Sequence, residues 1–355
     1  MMMILALGAA LAPSPCGANS TQHLGTTTAA ATPSTYSAIC AVGRDENAYV
    51  REWAEHHLCL GIGTIHLYDH ESAVGMDGPL RDLIDGGRVT YDRFEGHHKR
   101  FATGFSSSLA RFAKTAQGHA YAACLSKYGG AHTFVGFIDI DEFLALHDPK
   151  ARAINDVLRE YEPFGGVAFH WRVLGSSGHR VRPDAPVAQT YTACLPPGHE
   201  LNRQVKSFVN TAANPVMVSP HRATFGVKSF VNTAANGRGD GTEHRGKSGG
   251  GQSTDAGTAA AFDPTWSLVD EAFLPLKWGL RNRGVWGRVA VYHFVTKSWA
   301  EFEHKARRGG GAGVTRNASH FHKVDKQATD TCTGVVDTWQ RFCSKRDDQP
   351  ATTVL

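Results

Sequence analysis

Residues 134–148 read FVGFIDIDEFLALHD: an apolar run, three carboxylates within four positions, then apolar residues again. Phe134, Val135, Phe137 and Ile138 are β-formers in a short continuous run, the pattern of a strand buried on both faces, and Gly129-Gly130 supplies the turn before it. A buried strand ends where water begins. In extended chain the side chains at i and i+2 share a face, so Asp139 and Asp141 are expected together, roughly 7 Å apart along the strand, with Ile140 and Glu142 opposite. Like charges that close in a half-buried place repel, and a cation beside them relieves the repulsion. A hard divalent ion such as Mn²⁺ or Mg²⁺ suits oxygen ligands and leaves positions open for phosphate. The competing reading is that Asp141 or Glu142 caps a helix beginning at Phe143.

The flanks bear on that choice. SAICAVG reads as a first strand, and ENAYVREWAEHHLCLG as a helix with apolar and aromatic residues at helical spacing and Gly61 near its stop. TIHLYDHES gives a second strand ending on Asp69, GRVTYDRF a third, and residues 106–127 a long helix that leads into the FVGFIDID strand. Strand, helix, strand, strand, helix, strand is the order of an α/β domain with a mainly parallel sheet. Ligands of such sheets bind beyond the carboxyl ends of the strands, where Asp69, Asp139 and Asp141 all fall. This favours the metal reading over capping. Farther on, GGVAFHWRVLGSSGHR reads as a strand entering a Gly/Ser loop, and WGRVAVYHFVTKS as a strand before a helix, SWAEFEHKARR.

The chain has 355 residues with 41% hydrophobic content, enough for a sizeable core. Its 37 basic and 33 acidic residues leave a net charge of +4, too slight to argue for nucleic acid. Seven cysteines are widely spaced with no C-x-x-C, so neither a zinc knuckle nor a dense disulfide framework is indicated, and one or two bridges are allowed. The leader is apolar only to Ala12, short of the roughly 20 residues of a membrane span. Residues 1–35 read as an apolar leader and disordered linker, 36–345 as one domain, and 346–355 as a tail.

VKSFVNTAAN occurs at 205–214 and again at 227–236. A decapeptide repeated once is too solitary for a solenoid and reads as a local duplication. The Gly/Ser-rich stretch at 226–260 reads as a mobile insertion. Within it Gly241–Ser248 matches the P-loop pattern without the strand before it or the helix after it, so it is discounted, as is Arg238-Gly239-Asp240.

RDENAYVREWAEHHLCLGIGTIHLYDHES, GFIDIDEFL, WRVLGSSGH, VKSFV…SPH and YHFVTKSWAEFEHKARRG stand in the order and approximate spacing of glycosyltransferase family 92, and the chain resembles that family from about Tyr36 to Arg308. The resemblance implies a GT-A fold, a nucleotide-sugar-binding α/β sandwich whose D-x-D holds a divalent cation, Mn²⁺ or Mg²⁺, against the donor diphosphate. It implies a UDP-sugar donor, UDP-galactose in characterised members, an inverting transfer to a glycan hydroxyl, and a secretory, Golgi-type setting, with a cytoplasmic one as the alternative. Membrane association would come through a native N-terminus not evident here.

Carried onto this chain, the resemblance makes Asp139 and Asp141 the D-x-D and His293 the late histidine that completes the metal site. Arg44, Glu46 and Asp69 then face the nucleotide, with Asp45 standing where Asn is usual. Lys206, Arg222 and Lys297 are candidates to neutralise the leaving diphosphate. His179 and Glu142 are nominated as the base that takes the acceptor's proton, and Trp171 as a sugar platform or a core residue. His320 and His322 read as facing water. Two rivals stay open: a non-catalytic sugar- or nucleotide-binding relative, and a nucleotidyltransferase.

Overall fold

Buried β-forming runs alternate with amphipathic helices along the chain, and their order sets the architecture. The computed structural model describes residues 35–97, 112–225, 267–276, 283–309 and 316–344. The leader, the whole 226–260 insertion with the second decapeptide and the P-loop-like stretch, and the 346–355 tail lie outside them.

Strand β1 (Thr35–Gly43), helix α1 (Val50–Cys59), β2 (Thr64–His70), the short α2 (Arg81–Asp85) and β3 (Val89–Phe94) follow the expected order. Helix α3 (Ala116–Tyr128), preceded by a turn at 113–114, covers most of the expected 106–127, of which 106–111 lie outside the described residues; it leads into β4 (His132–Phe137), β5 (Glu142–Leu146), α4 (Ile154–Leu158) and β6 (Gly166–Val173). The second half runs α5 (Val187–Thr190), β7 (Ala193–Cys194), β8 (Val205–Asn210), β9 (Val216–Ser219), β10 (Arg222–Thr224), β11 (Leu268–Asp270) and β12 (Val289–His293). It closes with α6 (Trp299–Arg308), α7 (Ala318–Gln327), β13 (Asp330–Thr331) and α8 (Gly334–Phe342).

The main sheet has the order β3-β2-β1-β4-β8-β6-β12-β5, with β11 also on β6. The pairs β1–β2, β1–β4, β2–β3, β6–β11 and β6–β12 are parallel, so the sheet is mainly parallel as expected. β8 runs antiparallel between β4 and β6, and β5 antiparallel beside β12. One rim therefore gathers the carboxyl ends of β1, β4 and β12 and the amino ends of β5 and β8. The chain steps from β1 outward to β2 and β3, then returns to lay β4 on the other side of β1. That reversal makes the ends of β1 and β4 the topological switch point, where sheets of this kind form their ligand crevice.

Helix α1 is fastened to the sheet by two buried histidines. His56 Nε2 donates to the Leu144 carbonyl at 2.7 Å, and His57, whose Nδ1 donates within the helix to the Trp53 carbonyl, accepts the Leu144 N–H on its Nε2 at 3.3 Å. Buried imidazoles resist protonation; burial pushes His56 down to about 4 and His57 well below the usual range.

Three disulfides, Cys40–Cys124, Cys59–Cys343 and Cys194–Cys332, exceed the one or two allowed from spacing. Their partners are 84 to 284 residues apart, so sequence spacing could not reveal them. The first decapeptide forms β8 and the turn Thr211–Ala213, and Asn214 closes it in the left-handed region at φ 48°.

Candidate active site

The D-x-D does not continue β4. Residues 139–141 turn the chain into β5, and the Glu142 N–H bonds to the Asp139 carbonyl at 3.0 Å. Phe143 lies inside β5, so neither the extended D-x-D nor the helix-capping alternative survives. A turn abolishes the two-residue alternation, and the carboxylates go to different partners.

Asp139 is held from below. Gln117 Nε2 and the Tyr121 hydroxyl, both from the start of α3, donate to its Oδ1 at 2.8 and 3.2 Å. Lys206 Nζ, from the start of β8, lies 2.7 Å from Asp139 Oδ2 and 3.1 Å from Glu142 Oε2. Lys206 and Glu142 are fully buried, whereas the Asp139 side chain keeps 29% exposure. Burial opposes the charge on Lys206, but Asp139 and then Glu142 reverse this and hold it protonated. Burial pushes Glu142 up to about 8, and Lys206 only partly counters it. Lys206 is thus a pillar beneath the turn and does not face a phosphate, as had been expected. Glu142, expected to point away from the site, is sealed against Lys206 and cannot reach an acceptor hydroxyl.

Asp141 looks the other way. Its Oδ2 accepts from His293 Nε2 at 3.2 Å and is in ion-pair contact with Lys305 of α6. Burial works against ionisation, but Lys305 and then His293 hold Asp141 well below the ordinary carboxylate range. His293 ends β12 directly opposite Glu142 in the register, with Nδ1 4.0 Å from Glu142 Oε1. Burial depresses His293 to about 4, so its ring is neutral near pH 7. Trp171 lies edge-on to this ring at 4.2 Å and is buried, which places it in the core.

The third element of the rim is the loop after β1. Glu46 is buried, contacts Arg308 at the end of α6, and lies 3.9 Å from Lys297 Nζ. Lys297 is buried with its Nζ 3.2 Å from the Tyr49 ring centroid, and its backbone takes φ 53°, a strained value for a residue other than glycine. Helix α6 is set by a capping box legible in SWAE: Ser298 accepts from the Glu301 N–H while Glu301 reaches back to the Ser298 N–H. Glu301 also accepts from Tyr49 and Tyr191, at 2.6 and 2.5 Å, tying the helix start to the rim.

The remaining expected residues are scattered. Asp69 is fully buried and spends both oxygens on the loop after β2, accepting from Ser72 N, Met76 N and the Tyr91 hydroxyl, so it shapes the rim where a ribose contact had been expected. Arg44 pairs with Asp45 and Glu71 at 3.8 and 3.6 Å. Asp45 sits at φ 53°, a region that Asp and Asn both tolerate, so the departure from Asn is sterically neutral. His179 lies beside Tyr191, ring centroids 5.8 Å apart, and its carbonyl receives the Trp299 N–H; no contact joins it to the carboxylates among the described residues. Arg222 opens β10, next to His221, whose Nδ1 donates to the Val205 carbonyl at the start of β8. His320 and His322 lie on α7: His322 is exposed as expected, though it stacks on Trp299 at 5.4 Å, whereas His320 is half-buried.

The expected metal set was Asp139, Asp141 and His293. Asp141 and His293 do meet, but the oxygen they share is covered by Lys305, and Asp139 is turned onto Lys206. Among the described residues no group of three or more His, Cys, Asp or Glu is placed to hold an ion. The three residues as arranged do not fit a divalent cation. The side chains that decide this, Lys305, Arg308, Gln117 and Tyr121, were not singled out from sequence; the one available signal was the i, i+3 spacing of Lys305 and Arg308 in a helix.

The model of glycosyltransferase family 92 matches residues 36–225, more than half of the chain. The chain belongs to glycosyltransferase family 92. A family 92 protein of Oryza sativa subsp. japonica is 29% identical over 160 residues, covering 44% of this chain and 24% of its own. One of Ricinus communis is 27% identical over 184 residues, covering 50% and 30%. The family 92 chain thus spans less than a third of the length of the curated relatives it matches. Among solved structures, S. aureus TarS 1-349 is 11% identical with a TM-score of 0.31, covering 50% of this chain and 48% of that one. Its complex with UDP is 10% identical with a TM-score of 0.29 at the same coverage. A likeness at these TM-scores carries no argument.

Proposed function

We propose that this family 92 chain is a glycosyltransferase that moves a sugar, galactose by the resemblance, from a UDP-sugar to a glycan hydroxyl with inversion. The observation that carries the reading is the rim itself. Off the ends of β1, β4 and β12, Asp139, Asp141 and Glu46 stand paired with Lys206, Lys305, Arg308 and Lys297, at the rim where an α/β sheet receives its ligand.

Departure of a nucleoside diphosphate builds negative charge on its β-phosphate, and cationic side chains placed there stabilise that charge as it develops. Asp139 is the most exposed carboxylate of the turn, and its clamp of Gln117, Tyr121 and Lys206 fixes its direction before substrate arrives. Three disulfides favour an oxidising compartment and so the secretory route over the cytoplasm.

The test is UDP release from a panel of UDP-sugars offered with oligosaccharide acceptors, in EDTA and in Mn²⁺. Sugar transfer with UDP as the product supports the reading. Release of pyrophosphate from a nucleoside triphosphate would instead identify a nucleotidyltransferase, and UDP binding without transfer a non-catalytic relative.

A further inference from the structure

We infer that this chain binds the donor diphosphate through its own basic side chains, Lys305, Arg308 and Lys297, and needs no divalent cation to do so. The inference rests on the donor reading above and deepens it.

It starts from the misfit between the expected metal set and the carboxylates as placed. Each acid of the rim already has a cation of the chain: Asp139 has Lys206, Asp141 has Lys305, and Glu46 has Arg308 with Lys297 at 3.9 Å. A metal entering between Asp139 and Asp141 would have to displace Lys305 and share the site with Lys206, a fully buried charge that cannot withdraw. Arg316 adds to this, because its charge acts on Asp141, Asp139 and Glu142 together. Five basic side chains, Lys206, Lys297, Lys305, Arg308 and Arg316, thus face four acids, Asp139, Asp141, Glu142 and Glu46. The balance is positive before any ligand arrives, which repels a divalent cation and attracts a diphosphate.

The cations are also placed to change partners. Lys305 and Arg308 lie three residues apart on one face of α6, in its last turn, and Lys297 precedes its first. Arg308 Nη1 is buried and has no hydrogen-bond partner among the described residues. An unmade bond on a buried guanidinium is costly, and a phosphate oxygen is the acceptor its forked geometry suits. Asp141 and Glu46 hold the two cations in position in the free protein; a diphosphate at the rim replaces those carboxylates as their partner.

The experiment is calorimetric titration of the whole chain with UDP and with UMP, in EDTA and in Mn²⁺, for the wild type, Lys305→Gln and Arg308→Gln. The expected result is UDP binding in EDTA within about threefold of that in Mn²⁺, about tenfold weaker binding of UMP, and about tenfold loss in each variant. Lys305 is partly exposed, and melting curves confirm that each variant folds. Should a variant not fold, the wild type decides: its UDP affinity in EDTA must fall steeply between about 0.05 and 0.5 M salt. UDP binding that appears only with Mn²⁺, or that is indifferent to both substitutions and to salt, overturns this inference and leaves the donor reading standing. Absence of UDP binding in every condition overturns the donor reading itself.

Discussion

Lys206 Nζ, wholly buried at the start of β8, lies 2.7 Å from Asp139 Oδ2. A buried ammonium is tolerated only while it is paired, so this contact commits both residues: the lysine cannot leave, and Asp139 cannot turn toward a ligand without uncovering it. The turn after β4 is therefore held rigidly, and its chemistry is divided between two acids with different neighbours.

Removing the lysine leaves Asp139 and Glu142 facing each other across the vacated space. Lys206→Met is expected to destabilise the protein by about 3–5 kcal/mol, as broken buried pairs do. Adding Asp139→Asn should recover part of that loss, because the carboxylate left without its cation is then replaced by a neutral amide. Urea denaturation of the single and double variants measures both; a single variant as stable as the wild type would show that the pair has no structural role.

Glu142 makes a pH signature. Its carboxyl is raised to about 8 from an ordinary 4.5, so the folded state holds a proton that the unfolded chain releases. Its contribution to stability is complete below the ordinary value and is lost as pH rises through about 8. Glu142→Gln carries no such proton, and the fall in melting temperature between about pH 6 and pH 9 should be smaller in that variant. Parallel melting profiles for the two proteins would contradict this.

The histidines act in the opposite direction. Burial lowers His56 and His293 to about 4 and His66 and His221 to about 3. Each takes up a proton on unfolding below its ordinary 6.5, so stability present above that value is lost as pH falls toward the folded values. Unfolding free energy measured at about pH 7, 6 and 5 should decline with a slope of more than one proton, and replacing His66 by Gln should reduce that slope.

Cys59–Cys343 ties the end of α1 to the residue after α8 across 284 positions of chain. The paired change Cys59→Ser with Cys343→Ser should cost about 2–5 kcal/mol, the usual loss for a native bridge. Intact mass before and after reduction should show three bridges; a free-thiol count above one in the unreduced protein would refute the pairing.

What could be read from residues alone followed from short-range rules. Buried β-forming runs, helical spacing and the Ser298–Glu301 capping box depend on neighbours within a turn or two, and they were enough for an α/β order, a mainly parallel sheet and a site at the strand ends. The D-x-D was legible as a location; Asp141 and His293 had been expected to share a metal, and they meet instead by a direct hydrogen bond.

Only the tertiary structure decided the partners. Whether Asp139 and Asp141 share a face depended on one turn, Ile140–Asp141, that an apolar run followed by acids does not specify. Lys206 comes from a strand 67 residues later than Asp139, and Lys305 from a helix 164 residues beyond Asp141, so no local pattern could assign them. The cysteines are joined over spans of 84 to 284 residues. Charges and thiols are matched by proximity in space, at ranges of a few ångströms, and proximity in space across a folded sheet leaves no period in the sequence.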